Sequence, residues 1–128
     1  MTQTSPSRLK VLLIEDDAVV RQVVADLLGI LGHTVLQAAG GPEGLARLEA
    51  GESVDLVLTD LRMPEMSGWD VVKAIKLRWS QLPIGLITGT PEALAQGREL
   101  VDLVIGKPVT LARLREAISG VRPVVPPT

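Results

Sequence analysis

Five short aliphatic runs, at residues 8–14, 34–38, 54–60, 82–88 and 101–105, alternate along the chain with stretches of helical character. Runs of that length read as buried strands, and apolar residues recurring at three and four positions read as amphipathic helices. Strand and helix alternating through short connections imply a parallel sheet with helices on both faces. At 128 residues the chain is the size of one domain and long enough for one substantial core. The expected fold is a single doubly wound (βα)5 α/β domain with a five-stranded parallel sheet.

The third run carries the chemistry. It closes on Asp60, and the chain then passes through a turn marked by Pro64 and Gly68 before a helical pattern over about residues 68–77, with Val71, Val72, Ile75 and Trp79 facing inward. Asp60 therefore stands at the carboxyl end of a strand, the edge of an open α/β sheet where ligands collect. The other exits are also polar: Glu15-Asp16-Asp17 after the first strand, Thr88-Gly89 after the fourth, Gly106-Lys107-Pro108 after the fifth. With strand order 2-1-3-4-5, the switch point lies between strands 1 and 3 and brings Glu15, Asp16 and Asp60 into one crevice. Three carboxylates there must hold a proton or bind a cation. An open, all-oxygen site suits Mg²⁺, with Mn²⁺ as a substitute. Asp60 then reads as a nucleophile for a phosphoryl group, with the cation and the Lys107 ammonium sharing the incoming charge and the Thr88 hydroxyl donating to it.

The remaining elements follow from local signals. Asp17 caps a helix whose inward positions are Val20, Val23, Val24, Leu27, Leu28 and Leu31, and Gly32 ends it. Pro42 opens a weaker helix that Gly51 stops; Thr90-Pro91-Glu92 opens a short one interrupted by Gly97. Thr110 caps the last helix, which faces inward with Leu111, Leu114, Ala117, Ile118 and Val121. His33 is expected as an exposed turn residue. Asp55 and Asp102, from the Val-Asp-Leu-Val that occurs at 54 and again at 101, are expected as turn residues on the edge opposite the acids.

Composition narrows the function classes. A net charge of −2 and a pI near 5.4 argue against a nucleic-acid-binding surface. The absence of cysteine excludes disulfides and thiolate metal sites. The start has no apolar leader core and no run is long enough to span a bilayer, so a cytoplasmic protein without a membrane partner is expected. Residues 1–8 are expected as a frayed start, 9–121 as the domain and 122–128 as a proline-rich tail or linker.

Taken in order, Glu15-Asp16, Asp60, Pro64, Gly68, Thr88 and Lys107-Pro108 resemble the receiver domain of two-component response regulators, a flavodoxin-like phosphoacceptor domain, over roughly residues 9–121. The resemblance implies that Asp60 accepts the phosphoryl group and that Asp16 ligates Mg²⁺ directly, Glu15 through water and Arg62 through its backbone carbonyl. It also implies Thr88 as the switch hydroxyl, Lys107 as the pairing lysine joined to Pro108 by a cis peptide, and Arg62 and Thr90 as residues that tune phosphoryl lifetime. The implied donor is a histidine kinase or histidine phosphotransfer domain. A downstream protein would dock on the face of the fourth helix, fifth strand and fifth helix, and self-phosphorylation from small donors with slow autodephosphorylation would be the only chemistry. The chain would be a stand-alone regulator or a part of a hybrid kinase or larger regulator. Two positions depart from the pattern: Val104 stands where an inward-turning Tyr or Phe is common, and Val109 where Phe is. The alternative is an aspartyl-phosphate-forming phosphatase of haloacid-dehalogenase type, which wants a second acid where this chain has Arg62. A flavin-binding relative of the same topology conflicts with an acidic site that repels phosphate.

Overall fold

The computed structural model describes residues 8–89, 94 and 97–123. The expected helix start at Thr90-Pro91-Glu92, and most of the expectations for residues 1–8 and 122–128, lie outside the described residues. Strands β1 (Lys10–Ile14), β2 (Thr34–Ala38), β3 (Leu56–Asp60), β4 (Ile84–Thr88) and β5 (Leu103–Gly106) form one parallel sheet in the order β2-β1-β3-β4-β5. Helices α1 (Ala18–Ile30), α2 (Gly41–Glu49), α3 (Gly68–Arg78) and α4 (Leu111–Ile118) cover it, and a 3-10 turn, Arg98–Leu100, precedes β5. Among the described residues no helix is long and apolar enough to cross a membrane.

β3 and β4 are buried at every position, as strands must be when helices cover both faces of a parallel sheet. Their side chains alternate between two cores. Leu12, Val57 and Leu86 meet Val71, Val72 and Ile75 on one face; Leu13, Leu58 and Ile87 meet Val24, Leu28 and Leu114 on the other. Each such side chain contributes about 1.5–3 kcal/mol by leaving water, so a core without Phe or Tyr is still held firmly.

The helix caps follow their sequence signals. The Asp17 carboxylate accepts from Val19 N and Val20 N at 2.9 and 3.1 Å, and the Thr110 hydroxyl accepts from Arg113 N. One inward assignment fails. Val23 is 49% exposed, while Ala25 joins Val24 and Leu28 in the buried stripe. At about 100° per residue, Val23 and Ala25 lie on opposite flanks of Val24, and the sheet takes the Ala25 flank.

The lower edge of the sheet, where the strands begin, is tied by the two repeated aspartates. Asp55 donates its N–H to Lys10 O at 2.7 Å while its Oδ2 accepts from Lys10 N at 2.8 Å. Asp102 treats Ile84 the same way, at 2.8 Å in both directions. Both sit on the edge opposite the acids, as expected, but they latch neighbouring strands rather than simply forming turns. The repeat therefore encodes one local solution used twice.

His33 corrects the sequence reading. It is buried, and its Nδ1 accepts from Leu9 N at 3.1 Å, closing the entry to β1. Burial lowers its pKa from 6.5 because the charged ring is desolvated. Above the unfolded value both states are neutral and the stabilisation is complete. As the pH falls below about 6.5, the unfolded chain takes up a proton that the folded chain resists, so stability is lost down through the lowered folded value. In thermal melts, wild type and His33→Gln should therefore differ most at pH 7 and above, and the gap should narrow toward pH 5. A gap independent of pH would refute the buried neutral histidine.

Candidate functional site

β1 and β3 are neighbours in register, Ile14 beside Thr59, so Glu15 and Asp60 emerge together at the upper edge of the sheet. Glu15 N donates to Ala38 O at 3.1 Å, which extends the β1–β2 ladder one residue past the strand. Asp60 is buried, and its Oδ1 accepts from Leu61 N at 2.8 Å and lies 3.1 Å from Lys107 Nζ. Lys107 arrives from β5, and its N–H donates to Thr88 O at 3.0 Å, so β4 carries it toward the acids. The Lys107–Pro108 peptide is cis, as expected. Thr88 is buried at the end of β4 beside Gly106. Asp16 is exposed at the rim.

Glu15 is the electrostatic outlier. Its Oε2 accepts from Asp17 N at 3.1 Å, but its Oε1 is buried with no hydrogen-bond partner and stands 4.0 Å from Lys107 Nζ. Its pKa is raised to about 7, foremost by burial. The Asp17 N–H lowers it, the Asp60 charge and an Asp16 hydrogen bond raise it, and Lys107 lowers it.

Ligand atoms of Glu15, Asp16 and Asp60 all lie within 4.8 Å of one another. Once Glu15 has lost its proton, three ionised carboxylates against one ammonium leave two negative charges uncompensated, the charge of one divalent cation. An unpartnered buried oxygen and an all-oxygen donor set fit Mg²⁺, which keeps several waters and takes few carboxylates. Arg62 follows Asp60 by two residues, and its carbonyl accepts no hydrogen bond among the described residues. All the side chains expected at the site, Glu15, Asp16, Asp60, Thr88 and Lys107, share this edge.

The loop that follows Asp60 is held tightly. Gly68 N donates to Leu61 O at 2.8 Å, and a Cβ on Gly68 would fall on the Asp60 carbonyl oxygen and within 2.8 Å of Leu61 Cα. Close approach to backbone, rather than an unusual dihedral, demands glycine there. Glu65 adopts φ 70° in a tight turn in which Met66 N donates to Pro64 O at 2.7 Å. Ser67 and Asp70 form a capping box that starts α3. Its sequence signal is Ser67-x-x-Asp70. Arg21, whose Nη1 donates to Glu15 O at 2.8 Å, carried no local signal at all.

Val104 is half-buried against the core under α2 and α3, and borders a hollow of about 330 Å³ together with Gly106, Ala112 and Ala117. Val109 packs against the opposite core.

Two outcomes follow. Mg²⁺ must displace the proton that Glu15 holds near neutrality, so its affinity, measured by calorimetry, should weaken as the pH falls below about 7 and level off above it. A flat profile from pH 6 to 8 would exclude the raised carboxyl from the site. Gly68→Ala should lower stability by about 1–3 kcal/mol in denaturant melts, because backbone rather than a flexible side chain must move.

Comparison with known proteins agrees with this geometry. A family model described as the response regulator receiver domain matches residues 11–119. The chain is 33% identical over 119 residues to the chemotaxis protein CheY1 of Helicobacter pylori, covering 88% of this chain and 96% of that one. It is 31% identical over 121 residues to the sensor histidine kinase RcsC of Salmonella typhi, covering 92% of this chain and 13% of the kinase. The solved structure of the chemotaxis protein CheY4 of Vibrio cholerae superposes with a TM-score of 0.81 at 29% identity, over 91% of this chain and 100% of that one.

Proposed function

This chain belongs to the response regulator receiver domain family, and on that premise we propose that Asp60 is its phosphoacceptor, served by Thr88, Lys107 and a Mg²⁺ held by Asp16, Asp60, the Arg62 carbonyl and, through water, Glu15. The observation that carries the assignment is the pairing of Asp60 Oδ1 with Lys107 Nζ at 3.1 Å beside two further acids. Leu61 N and Lys107 Nζ both meet the Oδ1 oxygen of this carboxylate, at 2.8 and 3.1 Å.

In the step proposed, an Asp60 oxygen attacks the phosphorus of a phosphohistidine. The phosphorus–nitrogen bond breaks, its electrons leave with the imidazole, and an acyl phosphate remains on Asp60. Lys107 already faces this carboxylate and offsets the charge that arrives, while the Thr88 hydroxyl donates to a phosphoryl oxygen. A Mg²⁺ held by Asp16, Asp60 and the Arg62 carbonyl would supply further charge neutralisation. Water later attacks phosphorus, releasing inorganic phosphate and restoring the carboxylate. Nothing in this cycle turns over an external substrate, so the domain signals by its phosphorylation state.

The phosphatase alternative has less support. The general acid it wants two residues beyond the nucleophile is replaced by the exposed Arg62, and the family match is to receivers. The relatives include a small chemotaxis protein matched over nearly its whole length and a kinase in which the matched part is a small fraction. We therefore read the domain as the receiving partner of a histidine kinase or phosphotransfer domain in the cytoplasm, with residues 9–121 as the receiver and the proline-rich 122–128 as a tail or linker to what it serves.

Incubation with Mg²⁺ and acetyl phosphate should add a single phosphate to the wild type by intact-protein mass spectrometry, and none to Asp60→Asn. Removing Mg²⁺ with a chelator should abolish the addition. A phosphate retained by Asp60→Asn, or release of phosphate from phosphomonoesters far beyond one equivalent, would overturn the assignment.

A further inference from the structure

We propose that Arg21 is a positioning residue for the metal-binding acids, acting by clamping the peptide that joins Glu15 to Asp16. This rests on the reading of Glu15, Asp16 and Asp60 as the Mg²⁺ site. Arg21 lies one turn into α1, and its guanidinium makes two bonds in different directions. Nη1 donates to Glu15 O at 2.8 Å, and Nε donates to the Gln37 side-chain oxygen on β2 at 3.2 Å. The Glu15 carbonyl belongs to a planar unit that runs from the Cα of Glu15 to the Cα of Asp16. Fixing that oxygen fixes the plane, and the two acidic side chains hang from its two ends.

The other restraints act through the Glu15 N–H and side chain, including the hydrogen bond between the Glu15 and Asp16 side chains, and none of them holds the peptide plane itself. Glu15 is tied through its N–H to Ala38 O and through Oε2 to Asp17 N, both on its own side of the peptide. Asp16 is exposed, so packing does not hold it. The carbonyl is also taken out of competition: an acceptor already paired with a guanidinium is not free to turn inward toward a cation. Geometry rather than charge is the operative property. Arg21 is not among the groups that shift the Glu15 titration, whereas Lys107 and Asp60 are. A planar fork can serve Glu15 O and Gln37 together; an ammonium at the end of a flexible stem cannot hold the same pair of directions.

The test is Mg²⁺ binding by calorimetry on the full chain, with thermal melts in chelator alongside. Partners that orient metal ligands typically contribute about 10–100-fold in affinity. Arg21→Met and Arg21→Lys should both weaken Mg²⁺ about tenfold or more, with metal-free melting temperatures close to wild type. Gln37→Leu, which removes only the far anchor, should weaken it less and in the same direction, and it carries the test if the Arg21 variants do not fold. Wild-type affinity in Arg21→Met or in Gln37→Leu overturns the clamp. Full recovery in Arg21→Lys overturns the geometric account by showing that charge suffices. If the wild type itself fails to bind Mg²⁺, the reading of the acidic site fails instead, and the two failures are thereby distinguished.

Discussion

The meeting of three carboxylates with a single ammonium at the β1–β3 crossover is the constraint from which the rest of the upper edge follows. Parallel register puts Ile14 beside Thr59, so the next residues of both strands leave the sheet side by side. Like charges at that distance are tolerable only with compensation, and Lys107 supplies one charge where two more are wanted. The cost is visible at Glu15, whose carboxyl is held near neutrality with one oxygen unpartnered. A charge deficit of this kind is what a divalent ion bound at this edge would offset.

Stability is secured at the other end of the strands. Asp55 and Asp102 each exchange a backbone bond and a side-chain bond with the first residue of the neighbouring strand, and His33 does similar work at the entry to β1. These carboxylates have backbone N–H groups as partners, so their charge is compensated locally and does not feed into the site. The sheet is thus clamped where strands begin and left chemically unfinished where they end. Gly68 transmits that rigidity upward by letting α3 rest directly on the Asp60–Leu61 backbone.

How far the sequence disclosed this depends on whether the information was local. Strand and helix periodicity, the caps at Asp17 and Thr110, and the polar exits at residues 15–16, 60, 88 and 107 are written in adjacent residues, and the structure brings those exits to one edge. Strand order required the family resemblance, since spacing alone left it conditional. The failures share a cause. Val23 was misassigned because an apolar residue on a helix flank looks the same whether or not a sheet lies beneath it. His33 was misassigned because its partner, Leu9 N, is supplied by a segment 24 residues earlier. Arg21 was missed because its partners sit on two other elements.

The departure at Val104 has a consequence that composition makes firm. The chain has no Tyr or Phe, and its two aromatic residues are Trp69 and Trp79. A readout in which a ring on β5 turns inward is therefore excluded, because there is no ring on β5 to turn. What β5 offers instead is a β-branched side chain with few rotamers, half-buried against the core under α2 and α3. Meanwhile Thr88 and Lys107 are joined by a backbone hydrogen bond at 3.0 Å, so displacement of one strand end is carried to the other through the main chain. Trp69 stands at the start of α3, and its ring lies so close to Gly97 that an added Cβ there would come within 2.6 Å of it. The start of α3 and the segment before β5 are thus packed directly against each other.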